Sequence, residues 1–423
     1  MEAGPVPPER EEQPMNRETA TTQCIDPVHY AERGYPHEAW AWLRRNEPVA
    51  WCEPPGFPPF WAITKHDDVV FLSKQPHRFL NEPTMAIFPS EFYQSDDFPL
   101  RHLINMDPPE HRSYRGLISA QFTPRALEPK RAAVEAIVDS ILDAAAEKQE
   151  LDFVRDVSAI MPIAVIAEML GIPEPDRDQF FHWTNQTIAP EDPEYSQGAS
   201  ARETSDAAIQ AQSAYFMQMV AERRASTRDD LVGRLAAARI DGEPIPDFEL
   251  LSYLVLLVVA GNETTRNAAT GGLHALITHP EQLAALRADP IGRIRPAVEE
   301  IVRWVTPVNQ FCRTSIEDVE LRGRKIGAGE AMCLFYASAN RDEEIYDDPF
   351  AFRIDRWPNR HLGFGIGEHV CMGAHLARLE LQILFAKLFE RLEHIEPAGE
   401  LERQRSSFVG GIKRMPVRLR LTP

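Results

Sequence analysis

Cys371 stands between a glycine-rich run, Gly363-Phe-Gly-Ile-Gly367, and a stretch in which Met372, Leu376, Leu379 and Ile383 recur at helical spacing. Glycines let a chain turn tightly and come close to a flat ligand or to a sulfur atom. The first turn of a helix presents unpaired N–H groups and the positive end of its dipole, both of which favour a thiolate. The spacing therefore predicts a thiolate at or just before a helix N-terminus, with a lowered pKa. Gly373 leaves bare backbone beside it for a large neighbour.

Three other uses of such a cysteine compete. A structural thiol packs among apolar side chains and needs no glycine loop. A zinc site has His369, Cys371 and His375 to draw on, but structural zinc wants four ligands in paired spacings, and the sequence has no CxxC pair. A dinucleotide loop lacks the GxGxxG spacing and a parallel βαβ setting. Haem with an axial cysteine thiolate accounts best for the pattern.

A second group of reactive residues interrupts an apolar run. Tyr253 to Ala260 has no polar face, and Gly261-Asn-Glu263-Thr264-Thr265-Arg266 follows it, placing a carboxylate and two hydroxyls mid-helix. Threonines also bend helices harmlessly by bonding back to the backbone, so solvent emergence is the plain alternative there. His111 and Arg115 lie four apart on one helix face, and Glu300 and Arg303 form an i,i+3 pair amid Val298, Ile301 and Val302.

The elements that must position these groups are mostly helices. Arg131 to Ala146 and Val157 to Leu170 are amphipathic, and Asp247 is expected to cap a long buried helix from Phe248 to Ile277. Its apolar run is shorter than the roughly 20 residues a bilayer span needs. Val49 to Trp51 and Phe60 to Thr64 read as a hairpin, Val319 to Leu334 as short strands, and the C-terminus as a strand pair. Pro76 to Pro99 is a long irregular run carrying Met85, Ile87, Phe88, Phe92, Tyr93 and Phe98, an aromatic content that suits a binding loop. The polar run from Ala189 to Thr204 is expected to be a mobile loop in a lid.

Bulk composition narrows the function. The 423 residues include 45 Lys and Arg against 64 Asp and Glu, a net charge of −19 that argues against binding nucleic acid or an anionic membrane. Five scattered cysteines suit a reducing cytoplasm rather than a disulfide framework. The first 22 residues, rich in Pro and Glu and lacking an apolar core, are expected to be a disordered tail before a single domain over 23–423.

Together these signals resemble the cytochrome P450 superfamily, the haem-thiolate monooxygenases, from about residue 30 to the end. The resemblance rests on Phe364-Gly-Ile-Gly367-Glu-His369-Val-Cys371-Met-Gly373, on Ala260-Gly261-Asn-Glu263-Thr264-Thr265, on Glu300-x-x-Arg303, and on Pro349, Phe352 and Arg356, with Arg353 where relatives usually have Asp. It implies a mainly α fold with a smaller β region, a triangular prism holding haem b (iron protoporphyrin IX) between a proximal and a distal helix. It implies that Cys371 ligates the iron, that His111, Arg115, Arg313 and His369 bind the haem propionates, and that Ala260, Gly261, Phe364, Gly365 and Gly373 border the haem. Glu263 and Thr264 would relay protons to O2, and Glu300, Arg303 and Arg356 would form a structural ion pair.

Ser338 to Glu344, Asn359 to Gly365 and Phe408 to Gly411 further resemble bacterial monoterpene-alcohol hydroxylases of the terpineol type. Met85, Phe88, Phe92, Leu256, Ala260, Val308, Phe311 and Phe408 are the apolar substrate candidates, with Asn309 or Gln310 to orient a hydroxyl. The expected activity is hydroxylation of a compact hydrophobic molecule, a terpenoid or small aromatic hydrocarbon. Electrons would come from a separate 2Fe-2S ferredoxin and its reductase, docking on a basic face near Arg112 and Arg360. The alternative is a haem-thiolate sensor or carrier without turnover; a peroxygenase is disfavoured by the Glu263-Thr264 pair.

Overall fold

Long apolar stretches with helical period outnumber short alternating ones in this sequence, so helices have to pack around one another and leave the strands at the margins. The computed structural model describes residues 15–93, 101–196, 199–226 and 228–422. Its centre is the helix Asp247–Thr278. The helices packed on it include Ile160–Leu170, Arg177–Ile188, Ala201–Arg224, Pro290–Val305 and Ala374–Arg391. This is the one helix among the described residues that is long and apolar enough to cross a membrane, and most of it is buried inside the protein.

Small residues let that packing close up. A Cβ on Gly272 would lie 2.7 Å from Ile301, and one on Gly271 would lie 2.8 Å from Val305, so the Pro290–Val305 helix sits directly against bare backbone. Asp247 is the first helical residue rather than the cap; Pro246 holds the cap position and the Asp247 carboxylate pairs with Arg224 at 2.6 Å.

A five-stranded sheet flanks the helices. It comprises β1 (Val49–Cys52), β2 (Phe60–Ile63), β3 (Phe79–Leu80), β4 (Gln310–Ser315) and β5 (Ala331–Phe335), in the order β1-β2-β5-β4-β3. β5 runs parallel to β2 and antiparallel to β4, with Cys333 opposite Cys312. A second, three-stranded sheet joins Leu392–Pro397, Pro416–Leu421 and Glu150–Asp152. The mainly helical expectation with a small sheet region holds.

Several local expectations need correction. Arg17–Gln23 is helical: Asn16 accepts the Thr19 amide at 2.9 Å, and Ala20 and Cys24 are buried, so composition placed the end of the tail too late. Residues 1–14 lie outside the described residues. The run from Ala189 to Thr204 contains the turn Pro193–Ser196 and the start of the Ala201–Arg224 helix, closed by a Ser200/Glu203 capping box. Asp192 ties that run down through Lys413 at 2.9 Å and the Arg405 amide at 3.1 Å. In the long aromatic run, β3 and a turn of 3-10 helix at Ser90–Tyr93 give local order, while Phe98 lies outside the described residues.

Candidate active site

Chain direction brings the cysteine loop to the central helix. Leu362 donates its amide to Asn340 Oδ1 at 2.7 Å, Gly365 to Leu362 O at 2.8 Å, and Cys371 to Phe364 O at 2.8 Å, so the loop folds back on itself before the Ala374–Arg391 helix begins. Gly367 is obligatory there: its φ is +84°, and a Cβ would lie 2.3 Å from Ser73 O. Cys371 precedes the helix by three residues. The Gly373 amide is directed at its sulfur, which lowers the thiol pKa, but burial outweighs that help and raises it. The expected lowering is therefore not met by the polypeptide alone. Cys371 is exposed to the cavity that it lines, while protein crowded around its sulfur supplies the burial that raises the thiol pKa.

That cavity lies between the cysteine loop and the central helix. His111, Arg115, Leu256, Ala260, Gly261, Thr264, Val308, Phe311, Arg313, Phe364, Gly365, His369, Cys371 and Gly373 all line it. Residues far apart in sequence thus meet as the resemblance implied. Gly261 is small because the Ile160–Leu170 helix presses on it, with Ile166 only 3.3 Å from where a Cβ would sit.

Four basic groups share one end of this mostly apolar space. The rings of His111 and His369 are 4.0 Å apart, His369 Nε2 is buried with no hydrogen-bond partner among the described residues, His111 Nδ1 lies 3.5 Å from Glu368 Oε1, and neither Arg115 nor Arg313 pairs with a carboxylate among the described residues. Burial, followed by the positive charges of His111, Arg313 and Arg115, pushes the His369 pKa down to about 2. Such a cluster suits a ligand carrying two carboxylates, and the adjoining sulfur suits a metal at that ligand's centre. The residues present therefore fit haem b.

Other expected contacts are displaced. Met85, Phe88 and Phe408 are not on the cavity wall: Phe88 packs on Phe92 and Phe408 at 5.7 and 5.2 Å, and Phe408 on Phe311 at 5.6 Å, one ring behind the surface. Asn309 and Gln310 are fully buried and do not line the cavity; Gln310 is bonded to Ile87, while Asn309 donates to Ser407 O at 3.4 Å and its Oδ1 has no partner among the described residues. Arg112 is forked onto Glu368 at 2.7 and 3.1 Å.

Glu263 also stands behind the wall rather than on it. It is buried against Arg266, with Thr184 and Asn262 each donating to its Oε1 at 3.3 Å. Burial raises its pKa against the opposing pull of Arg266. Arg266 was legible as an i,i+3 partner and was overlooked. A second missed residue is Glu380, which lines the cavity, is 2% exposed, and has no partner among the described residues. Burial alone raises its pKa well above the ordinary carboxylate value. Its signal was a glutamate within the apolar face of Leu376, Leu379 and Ile383.

The loop is braced from outside by Glu299, which accepts Arg378 Nε and Nη2 at 2.7 and 2.9 Å and contacts His361 Nε2 at 2.9 Å. Arg378 in turn lies 4.3 Å over the Phe364 ring. Burial would raise the Glu299 carboxyl, but Arg378 and then His361 hold it down at about 2, against 4.5 ordinarily. A depressed carboxylate stabilises the fold fully above its unfolded pKa and loses that contribution as pH falls toward the folded one. Glu299→Gln should lower the melting temperature by a constant amount above about pH 5, with the gap to wild type closing between pH 4.5 and about 2. Calorimetry across that range checks it.

The cytochrome P450 family matches residues 28–421. The chain is 39% identical over 392 residues to a steroid C26-monooxygenase of Mycolicibacterium smegmatis, covering 90% of each chain. It is 36% identical over 413 residues to cytochrome P450-terp of a Pseudomonas species, covering 93% of this chain and 96% of that one. A Mycobacterium marinum cytochrome P450 solved in complex with pseudoionone superposes with a TM-score of 0.87 at 34% identity, covering 96% of this chain and all of the other. With a thiol facing carboxylate-binding groups and a threonine across one cavity, the chain belongs to the cytochrome P450 family of haem b monooxygenases.

Proposed function

We propose that this enzyme hydroxylates a compact apolar molecule, a terpenoid or small aromatic hydrocarbon, with electrons from a 2Fe-2S ferredoxin and its reductase in the cytoplasm. The observation that carries this reading is the cavity wall between Cys371 and Thr264, where Leu256, Ala260, Val308 and Phe311 offer apolar surface. Haem, when bound, supplies the activation of O2 at iron that no side chain can perform. Cys371 is its ligand, and His111, Arg115, Arg313 and His369 hold its carboxylates.

The remaining work is done by the polypeptide. Thr264 lines the cavity and donates its hydroxyl proton to Ala260 O at 2.8 Å, which leaves its oxygen free to accept from water on the cavity side. Glu263, next in sequence and raised by burial, is suited to hold a proton nearer neutral pH than an ordinary carboxylate. To pass it forward, the carboxyl must leave Arg266, whose guanidinium also has Asn185 Oδ1 at 2.7 Å to keep it satisfied. On the outer side of the Ala374–Arg391 helix, a groove lined by Arg295, His375 and the 89%-exposed Trp357 supports docking of an acidic ferredoxin, in place of the paired Arg112.

Spectral titration with terpenoids, steroids and arenes, followed by turnover with a surrogate ferredoxin and reductase, tests the reading. Binding and O2-dependent product from a terpenoid or arene are expected; a spectral shift without product would identify a carrier. Proton-transfer steps contribute about 10²–10⁴-fold. Thr264→Ala should therefore lower product formed per reduced cofactor by at least about tenfold while electron consumption continues, and unchanged coupling would remove Thr264 from the relay.

A further inference from the structure

Gln310 begins β4 and is 0% exposed, yet its amide serves a different part of the chain. Its Oε1 accepts the Ile87 amide at 3.1 Å, and its Nε2 donates to Ile87 O at 3.3 Å. Cys333 Sγ donates to the same Oε1 at 2.8 Å and fixes the orientation of the amide. Two residues along, the Cys312 amide donates to Met85 O at 2.6 Å. The Met85–Ile87 backbone is therefore attached to the edge of β4 like a short extra strand, although it belongs to the long irregular segment. Tyr93 grips the same segment from the other side, donating to Ala86 O at 2.7 Å and accepting the Phe88 amide at 3.2 Å.

This attachment fixes Phe88, the next residue. Phe88 lies edge-on to Phe408 at 5.2 Å, and Phe408 edge-on to Phe311 at 5.6 Å. Phe311 faces the cavity, and Gln310, its neighbour in the strand, points to the opposite side. The three rings form a stack leading from the cavity wall outward to the Met85–Phe88 segment. If that segment moves away, Phe408 loses its backing and the apolar space lengthens along the stack.

We propose that Gln310 is a positioning residue for substrate length: its amide holds Met85–Phe88 so that Phe88 and Phe408 back Phe311 at the outer end of the cavity and restrict it to compact molecules. The inference rests on the compact-substrate reading above. Gln310 touches neither substrate nor haem and acts only through Ile87.

The test compares wild type with Gln310→Met, which keeps the side-chain length and apolar volume while removing the hydrogen bonds, and with Gln310→Ala. In the protein without added substrate, amide hydrogen exchange at Ile87 should accelerate by about tenfold or more in both variants, as expected for losing a pair of neutral hydrogen bonds. In the haem-loaded protein, spectral dissociation constants for terpineol and for cholesterol should change in opposite senses, moving their ratio about tenfold toward cholesterol. Unchanged exchange at Ile87 would overturn the clamp. Faster exchange with the ratio within twofold of wild type would overturn the role in selectivity. If wild type already prefers cholesterol, the compact-substrate reading fails by itself, while the shift in the ratio still decides for or against Gln310. Should Gln310→Ala not fold, Gln310→Met alone gives both readouts.

Discussion

Cys371→Ser is expected to abolish the red-shifted Soret absorption of the reduced carbon-monoxide complex and to take product formation below detection. The sulfur contributes little to the fold: it opens onto the cavity, and no core cluster includes it. The loop around it is held by backbone hydrogen bonds that serine retains, namely Cys371 N to Phe364 O at 2.8 Å and Gly365 N to Leu362 O at 2.8 Å. Circular dichroism and melting temperature should therefore stay near wild type, which separates loss of a ligand from loss of a fold. Serine keeps the Gly373 amide as a hydrogen-bond donor but offers a hydroxyl of far higher pKa in a site whose burial already resists charge on sulfur. An alkoxide is not accessible there, and electron donation to iron fails. Retention of the red-shifted band in Cys371→Ser would exclude this residue as the ligand.

What could be read from the sequence follows from how far apart the interacting residues are. The glycine loop, the apolar helix with its acid and hydroxyls, and the Glu300/Arg303 pair are each contained within about a dozen residues, and local spacing is enough to place them. Arg313 and His111 are 202 positions apart, and only the family resemblance brought them to one ligand. Gln310 and Ile87 are separated by 223 positions, and a buried glutamine in a strand carries no periodic signal for what it will bond. Met85, Phe88 and Phe408 were expected at the substrate because they are large and apolar. The structure sets all three off the cavity wall, Phe408 one ring and Phe88 two rings behind Phe311, a difference of packing layers that hydrophobicity cannot register. Arg353, the departure from the family pattern, is tolerated because Glu300 takes its backbone amide, at 2.9 Å, rather than its side chain.

Glu300→Ala is expected to be the most damaging single change away from the cavity. Glu300 and Arg303 are 0% exposed, and the carboxylate accepts Arg303 Nε and Nη2 at 2.7 Å each, Arg356 Nε at 3.2 Å and Asn359 Nδ2 at 3.0 Å. The two guanidiniums spend their other N–H groups on the carbonyls of Asn340, Asp347, Asp348, Pro349 and Ala351, so one carboxylate gathers the whole segment that feeds the cysteine loop. Removing it leaves two buried cations without a counter-charge. Breaking a buried pair from one side costs about 3–5 kcal/mol, a large part of the about 5–15 kcal/mol that a native protein has in hand. The loss should appear first at the loop, because Asn340 also accepts the Leu362 amide at 2.7 Å. Glu300→Ala should therefore yield little haem-loaded protein, and the fraction that loads should lose the red-shifted carbon-monoxide band as the sulfur reverts to a thiol. Glu300→Leu combined with Arg303→Met should cost less than the sum of the single changes, since the double change removes one of the two cations that loss of the carboxylate strands, leaving Arg356 alone. Strict additivity in that cycle, with a wild-type carbon-monoxide spectrum in Glu300→Ala, would show that the loop is positioned without the carboxylate.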